Sequence, residues 1–394
     1  MPALEGLRVL DFGRYVAGPY CATLLSDFGA EVIRIEKREG SEDRYILPVA
    51  EGGEGAHFLQ LNRNKKSLTL DPTTPEGREV VRRLVATADI VIINMPASAV
   101  RAMGLDYATL KEIKEDIILV SLSAFGSEGP WKDRLGFDTI GQAMSGVVHL
   151  SGQPDQPYRA QVNWVDYSTA LHAAFGAMVA VRERQRSGRG QEVNASLLAS
   201  AVTLNNAMLI DQAVLGSDRQ AIGNRNFASA PTDLFRTKDG WVVVHITGGP
   251  LFKRWARLMG DETRWTDDPR FADDSARAEN GALLSDQMAD WCREKTRDEV
   301  LDILAGVKIP AGPVLTPRET LDHPQVQALG LLHAIDYPGL SAPVPVALTP
   351  VSLTETPAQI FRRAPTLGEH TDGILSALGY DEAEIAALRK AGTI

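Results

Sequence analysis

The sequence predicts an α/β fold with a parallel sheet, because apolar strands alternate with helical segments along its first half. Residues 7–12 form a short apolar run, and a glycine-bounded loop leads from it into a helix from Pro19 to about residue 28. A second apolar strand follows at residues 30–36. This β-α-β order places both strands parallel in one sheet.

Further strands continue this pattern at residues 67–70, 89–94 and 117–123, with a helix over about 74–87. The sheet is therefore predicted to be Rossmann-like, with a ligand cleft beyond the carboxyl ends of its strands. The first loop has glycines at positions 13 and 18, and Pro19 follows the second. This spacing differs from the dinucleotide fingerprint, so a nicotinamide cofactor is not favoured.

The composition changes after about residue 216. Strands at 232–235 and 240–247 form a hairpin that turns at Lys238-Asp-Gly, and helices rich in charge and tryptophan follow. We therefore predict a large Rossmann-like domain over residues 1–200 and a small α+β domain over 225–320. The segment 330–394 is expected to return to the large domain.

Composition excludes several classes of function. The 394-residue chain has a net charge of −10, which argues against a nucleic-acid partner. Its two cysteines are far apart and its seven histidines are scattered, so neither a disulfide framework nor a metal site is predicted. No signal peptide and no apolar run of membrane-spanning length are evident, which predicts a cytoplasmic protein without a membrane partner.

Asp166 is the strongest catalytic candidate. It precedes a long alanine-rich helix in which apolar residues recur at helical spacing. A carboxylate at a helix start faces unpaired N–H groups and the positive end of the helix dipole, which are expected to keep it ionised. An ionised carboxylate in a cleft can attack an activated acyl group. An ordinary helix cap is the simpler interpretation of the spacing alone.

Other candidates have equally simple alternatives. The basic residues Lys37, Arg38, Arg63, Lys65 and Lys66 are expected at the surface, although their place at one sheet edge also suits a phosphate site. Asn94 ends a buried strand, where it can cap a turn or bind a ligand. Cys21 and Cys292 lie in apolar helical patterns and are expected to be packed rather than reactive.

Together these segments resemble the class III CoA-transferase family, also called the CaiB/BaiF family. The resemblance runs in order along almost the whole chain. It rests on residues 4–12, 17–19, 29–36, 61–67 and 88–94, on Gly136-Phe-Asp138, on residues 142–146, on Asp166, and on residues 188–191, 309–314 and 368–371.

This resemblance implies a large Rossmann-like domain with a parallel sheet built from both chain ends, a smaller α+β domain, and two chains interlocked in a homodimer. It also implies that Asp166 attacks the thioester of an acyl-CoA. An acyl-aspartyl anhydride and then an aspartyl-CoA thioester would follow, before CoA passes to a free carboxylic acid. CoA would be a co-substrate, with no permanently bound cofactor.

By the same resemblance, CoA would lie along the strand ends, with basic residues taking its phosphates. The implied contacts are Val16, Ala17, Lys37, Arg38, Leu70, Asp71, Thr73, Asn94, Met95, Arg101 and Phe137. Arg14, Tyr15 and Arg225 are candidates for recognising the acid.

The sequence also departs from relatives within this resemblance. Oxalate-specific members carry Gln at the position of Val16, so a bulkier or less polar acid is expected here. The usual Asn-x-Arg-Pro-Gly is Asn94-Met-Pro-Ala-Ser98, and Arg101 is the candidate to replace the missing arginine. Two alternatives stay open: α-methylacyl-CoA racemisation, for which Phe137 replaces the histidine of those relatives and cannot transfer a proton, and a non-catalytic CoA-binding protein.

Overall fold

The computed structural model describes residues 1–394 of the chain. Its strands are, in chain order, β1 (Arg8–Asp11), β2 (Glu31–Glu36), β3 (Lys66–Thr69), β4 (Ile90–Ile93), β5 (Ile118–Ser123), β6 (Gly152–Gln153), β7 (Gln156–Pro157), β8 (Glu192–Ser196), β9 (Thr232–Arg236), β10 (Trp241–His245), β11 (Ala311–Pro313), β12 (Leu332–Ile335) and β13 (Val344–Ala347).

The α-helices are α1 (Ala17–Ser26), α2 (Ala56–Leu61), α3 (Pro75–Thr87), α4 (Ala97–Ala102), α5 (Tyr107–Ile113), α6 (Asp138–Met144), α7 (Val147–Leu150), α8 (Trp164–Ser187), α9 (Leu197–Leu215), α10 (Gly249–Leu258), α11 (Glu262–Thr266), α12 (Asp274–Glu279), α13 (Gly281–Arg293), α14 (Arg297–Gly306), α15 (Pro317–Asp322), α16 (Pro324–Ala328), α17 (Thr371–Ala377) and α18 (Glu382–Ala391). Two 3₁₀ helices lie at Glu42–Tyr45 and Pro269–Phe271.

Six strands form one parallel sheet in the order β3-β2-β1-β4-β5-β8. The predicted parallel sheet is confirmed, and β8 is a strand that the periodicity did not reveal. The strand order reverses between β1 and β4, which is the topological switch point of such a sheet. The loops after these two strands therefore border the expected ligand cleft.

Both faces of the sheet are covered by helices. Alternate strand residues such as Val9 and Leu10 enter different apolar clusters, because successive side chains of a strand point to opposite faces. One cluster contains residues of α1 and α8, and the other contains residues of α3, α5, α17 and α18. Burial on both faces explains why most residues of the central strands are apolar, as in Ile90–Ile93.

The C-terminal segment packs onto this layered structure but adds no strand to the six-stranded sheet. The large unit includes both chain ends, as the resemblance implies, but the six strands of its sheet all lie within residues 8–196. Leu375 and Leu388 instead enter the second apolar cluster, and the backbone N–H of Asp71 donates to the carbonyl of Thr393. The late segment thus completes one face with helices.

By its contacts the chain divides into two units. Unit 1 comprises residues 1–146, 160–214 and 328–394, and unit 2 comprises residues 147–159 and 215–327. Residues 147–159 fall within the range predicted for the large domain but belong to unit 2. Unit 2 has its own apolar core around Trp255, and its three-stranded antiparallel sheet contains the predicted hairpin β9-β10.

Helix α9 has the length and apolar composition that would allow it to cross a membrane, although the sequence had suggested that no segment does. One helix of this kind is weak evidence for a membrane protein. The side chains of Leu204, Ile210 and Val214 on this helix are more than half exposed. The apolar composition of α9 therefore reflects a face that is uncovered in the single chain.

Candidate active site

The loop after β1 is held in place at the switch point by Asn94. The Asn94 side-chain oxygen accepts the backbone N–H of Arg14 at 2.7 Å, and its Nδ2 donates to the Arg14 carbonyl at 2.7 Å. The Arg14 guanidinium donates to the carbonyls of Phe12, Gly13 and Ile35. Asn94 therefore joins the loops after β1 and β4. The positive charge of Arg14 is stabilised by backbone carbonyl oxygens.

Gly13 and Gly18 allow the two arms of this loop to pack together. A Cβ on Gly13 would lie 2.7 Å from Asp11 Oδ1 and 2.9 Å from the Gly18 carbonyl carbon. A Cβ on Gly18 would lie 3.3 Å from Asn94 Cγ. Both positions therefore require glycine because the backbone of the loop packs closely there. This packing explains the two glycines without a bound dinucleotide.

Asp166 lies in the first turn of α8, which begins two residues earlier at Trp164. The side chain is half-buried and accepts no hydrogen bond from the chain. Burial, with the negative charge of Asp138 as a second cause, raises its pKa to about 7 from an ordinary 3.8. The expectation that the helix start keeps Asp166 ionised is therefore wrong.

The physical reason is that another carboxylate occupies the start of α8. Asp138, the first residue of α6, is buried, and its Oδ1 accepts the backbone N–H groups of Val165 at 2.8 Å and Asp166 at 3.0 Å. These are two of the unpaired donors that a helix start offers. Asp166 therefore faces a fixed negative charge instead of free N–H groups.

Gln142 fixes both Asp138 and the segment that enters α8. Its Nε2 donates to Asp138 Oδ2 at 2.5 Å, and its Oε1 accepts the backbone N–H of Ala160 at 2.9 Å. Asp138 and Gln142 lie in two of the segments that resemble the family, Gly136-Phe-Asp138 and residues 142–146, but no site role was predicted for them. Their place in these segments was the available signal.

Aromatic contacts connect the first loop to α6 and α8. Tyr15 meets Phe137 edge-to-face with ring centroids 5.2 Å apart, and Tyr20 meets Tyr167 in the same way at 4.8 Å. Phe137 directly precedes Asp138, and Tyr167 directly follows Asp166. The loop after β1 and the carboxylates at the start of α8 thus belong to one packed region.

The predicted CoA contacts differ in how much of each residue a ligand could reach. Val16, Ala17 and Leu70 are almost fully buried, so only their backbone atoms are suited to a ligand. Asp71 accepts the backbone N–H and the hydroxyl of the exposed Thr73, which closes the turn after β3. The remaining side chains are exposed or half-buried, namely Lys37, Arg38, Asn94, Met95, Arg101 and Phe137.

A cavity of about 420 Å³ lies near the ends of β2 and β3. Arg38 and Arg389 line it together with Thr69 and Thr371, and Arg389 also pairs with Asp372. Two guanidinium groups beside a cavity favour an anionic ligand. Arg389 was not predicted, because more than 300 residues separate it from Arg38 along the chain.

Four of the five basic residues proposed for phosphate binding have carboxylate partners, and the exposed Lys37 pairs with Glu42. Arg63 and Lys65 are buried, contrary to the surface prediction; Arg63 pairs with Asp27 at 2.6 Å and Lys65 with Asp11 at 2.7 Å. Lys66 is half-buried and pairs with Glu31 at 2.5 Å. Their charges are neutralised within the fold, so these residues hold the sheet edge together.

Lys65 belongs to what we term the buried ion network. The network lies at the carboxyl ends of β1 and β2, and almost all of its side-chain surface is excluded from solvent. It consists of Asp11, Arg34, Glu36, Asp43, Arg44 and Lys65. The equal number of acidic and basic groups explains how the fold tolerates them.

Neither cysteine is a candidate nucleophile. Cys21 and Cys292 are both buried, and burial raises the pKa of each thiol, to about 12 for Cys292. A thiol with a raised pKa contains little of the reactive thiolate. This agrees with the packing role predicted for both residues.

The fold and this site define an α/β protein with a loop at the switch point of its sheet and a carboxylate of raised pKa in the same packed region. A family model described as CoA-transferase family III matches residues 4–371. The chain therefore belongs to CoA-transferase family III, whose members are enzymes that use CoA thioesters as co-substrates.

Individual relatives agree with this assignment. The chain is 35% identical to succinyl-CoA–D-citramalate CoA-transferase of Chloroflexus aurantiacus, over 98% of this chain and 96% of the relative. It is 34% identical to succinate–glutarate CoA-transferase of Agrobacterium fabrum, over 96% of each chain. Among solved structures, a CaiB/BaiF family protein from Brucella suis has a TM-score of 0.84 and 33% identity, covering 96% of this chain and 99% of that one.

Proposed function

We propose that this enzyme moves CoA from an acyl-CoA to a free carboxylic acid, with Asp166 as the nucleophile. The observation that carries this proposal is a half-buried carboxylate that has no cation and no hydrogen-bond donor as a partner. A carboxylate without such partners keeps its electron pair available for attack on a thioester carbonyl. Structural carboxylates in this protein are paired, as Asp11 and Asp27 are.

The proposed reaction balances without another reactant. Asp166 attacks the thioester carbonyl, the C–S bond breaks, and an acyl-aspartyl anhydride and CoA thiolate form. The thiolate then attacks the aspartyl carbonyl, which releases the donor acid and leaves an aspartyl-CoA thioester. The acceptor carboxylate attacks the aspartyl carbonyl of this thioester, the C–S bond breaks, and a second anhydride and CoA thiolate form. The thiolate finally attacks the acceptor's acyl carbon, which yields the new acyl-CoA and frees Asp166.

The raised pKa suits this role. With a pKa of about 7, Asp166 is ionised in about half of the molecules at neutral pH. Once ionised, it is more basic than an exposed aspartate, and nucleophilic strength rises with basicity within one class of groups. Partial burial also limits the access of water, which would hydrolyse the anhydride.

We place CoA along the carboxyl ends of the strands, beside the loop after β1. The backbone at Val16 and Ala17 borders the switch point, and Asn94 holds that loop in the required position. The cavity lined by Arg38 and Arg389 is suited to the anionic nucleotide end of CoA. The contacts of Lys37, Leu70, Asp71, Thr73, Met95, Arg101 and Phe137 with CoA remain part of this proposal.

We further propose that the enzyme acts as an interlocked homodimer in the cytoplasm. Leu171, Phe175 and Val179 recur every four residues on α8 and are 49%, 73% and 51% exposed. With the exposed apolar side chains of α9 they form a surface that a soluble monomer rarely leaves uncovered. A second copy of the chain would cover it, and the molar mass measured by light scattering would show this.

Replacement of Asp166 tests the assigned nucleophile. Asp166→Ala is expected to lower CoA transfer by at least about a thousandfold, because the covalent route is lost. Circular dichroism should show that the variant is folded. Activity is measured by mass spectrometry of CoA esters, with succinyl-CoA and a mixture of carboxylic acids as the first panel because the names of two relatives include succinyl or succinate.

The control is Asp336→Ala, which removes an exposed aspartate in unit 1 and should leave transfer unchanged. Wild-type enzyme stopped during turnover should yield a CoA adduct on the peptide that contains Asp166. Substantial transfer by Asp166→Ala would refute the proposal. Exchange of the substrate's α-hydrogen without any CoA transfer would instead favour a racemase.

A further inference from the structure

Asp138 connects the nucleophile's helix to a neighbouring helix. Its carboxylate is 3% exposed and starts α6, yet its Oδ1 accepts two N–H groups from the first turn of α8. Asn163, the residue at the N-cap position of α8, forms no side-chain capping bond. Asp138 therefore performs from another helix the capping that a local residue usually provides.

This arrangement determines the orientation of Asp166. One of the two N–H groups that Asp138 accepts belongs to Asp166 itself, at 3.0 Å. The backbone from which the nucleophile projects is thus fixed by a charge-assisted hydrogen bond, which is stronger than a neutral one. Gln142 donates to the second oxygen of Asp138 and thereby fixes the carboxylate in this orientation.

The same arrangement determines the electrostatic surroundings of Asp166. The titratable groups that face it are Asp138 on α6 and Tyr167 on its own helix, and Tyr167 packs against Tyr20 of α1. Burial raises the pKa of both tyrosines, so both hydroxyls are neutral at neutral pH. The nearby Arg63 is neutralised by Asp27, so Asp138 supplies the only charge that acts directly on Asp166.

We propose that Asp138 is the positioning residue of this site: it holds the first turn of α8 in place and keeps a fixed negative charge beside the nucleophile. The inference rests on the proposed function, in which Asp166 is that nucleophile. Asp138 itself does not touch the reacting atoms. It acts through the backbone and the charge state of Asp166.

Two substitutions separate the two roles. Asp138→Asn keeps an oxygen for the two N–H groups but removes the charge. The acid limb of the kcat–pH profile is expected to move about one unit to lower pH, with the plateau within about threefold of wild type. Asp138→Ala removes both the oxygen and the charge, and should lower kcat at least about tenfold at every pH.

A further variant guards against a local clash in Asp138→Asn, since the new amide would face the Gln142 amide. Asp138→Asn with Gln142→Glu again pairs an amide with a carboxylate and should restore the plateau. The matched control is Asp381→Asn, because Asp381 caps α18 through the N–H of Glu384 at 2.8 Å. This control should leave the acid limb in place.

Two results would overturn the inference. One is an acid limb that stays at its wild-type position in Asp138→Asn, the variant that removes the negative charge without adding another. The other is wild-type turnover by Asp138→Ala. Failure of the proposed function is recognised separately, because wild-type enzyme would then form no covalent adduct at Asp166 whatever the behaviour of the Asp138 variants.

Discussion

Two groups of shielded carboxylates in unit 1 behave in opposite ways. In the buried ion network, Asp11 and Glu36 are fully shielded from solvent, yet the pKa of each carboxyl is lowered, to about 2 for Glu36. At the start of α8, Asp166 is only half-buried, yet its pKa rises to about 7. The more deeply buried groups are thus the more acidic ones.

The pKa values move in opposite directions because the carboxylates have different charged neighbours. Lys65 and Arg34 act on Asp11, and Arg34 and Arg44 act on Glu36. Burial by itself opposes ionisation in both regions, but nearby cations outweigh it in the network. Beside Asp166 the nearest charge is a second carboxylate, which adds to the effect of burial.

In this protein the charge of the neighbouring groups therefore decides whether the pKa of a shielded carboxyl is lowered, as in the structural acids, or raised, as in the candidate reactive acid. The network keeps Asp11 and Glu36 ionised and unreactive because each of these carboxylates is paired with cations. The nucleophile needs the reverse, a carboxylate with a free electron pair and a raised proton affinity. Shielded residues whose pKa moves toward neutrality concentrate at functional sites.

The largest expected effect comes from removing a cation from the network. Lys65→Ala leaves Asp11 without its closest partner, 2.7 Å away. Loss of one member of a buried ion pair costs about 3–5 kcal/mol, and urea unfolding should show a decrease of this size. Lys66→Ala is the control: its pair with Glu31 is about one-third exposed, so the expected loss is below about 1 kcal/mol. Equal losses in the two variants would contradict this account.

A somewhat smaller effect with a defined pH dependence is expected for Glu36→Gln. The folded-state pKa of Glu36 is lowered from 4.5 to about 2, so its ionised form stabilises the fold above the unfolded pKa and this contribution disappears as pH falls toward 2. The wild type should be more stable than the variant by about 3 kcal/mol at neutral pH. Urea titrations at successive pH values should show the gap narrowing below pH 4.5; a constant gap would argue against the pairing.

An effect of the opposite sign is expected for Asp166→Asn. The folded-state pKa of Asp166 is raised from 3.8 to about 7, so ionisation destabilises the fold progressively between these two values and fully above the second. The amide variant should therefore melt at a higher temperature than wild type above pH 7, with no difference near pH 4. Thermal unfolding across this range measures the effect. A variant that is less stable than wild type at alkaline pH would show that Asp166 has a structural partner.

Local patterns in the sequence were sufficient to predict most of the large unit. The strands β1, β2, β4 and β5 fall within one or two residues of their predicted bounds, because strands buried on both faces are mainly apolar. Strand β8 (Glu192–Ser196) was missed, since its alternating polar residues do not form an apolar run. The resemblance to the family was confirmed by the match over residues 4–371.

In helix α8, which carries Asp166, the apolar periodicity of the sequence does not predict which apolar residues are buried. Ala170, Ala174 and Phe175 all fit one apolar pattern along the sequence. In the fold the two alanines are buried against the sheet, whereas Phe175 is 73% exposed. An apolar residue looks the same in the sequence whether it faces the core of its own chain or an uncovered surface.

Local patterns along the chain were enough to predict the parallel sheet, and the motifs were enough to indicate the family and, through it, Asp166 as the candidate nucleophile. The charge state of Asp166 and the partners of Lys65 became known only from the folded chain. These properties depend on distances between residues far apart in the chain, 28 positions for Asp138 and Asp166 and 54 for Asp11 and Lys65. Electrostatic energy depends on separation in space and on burial, and neither can be read from the order of residues.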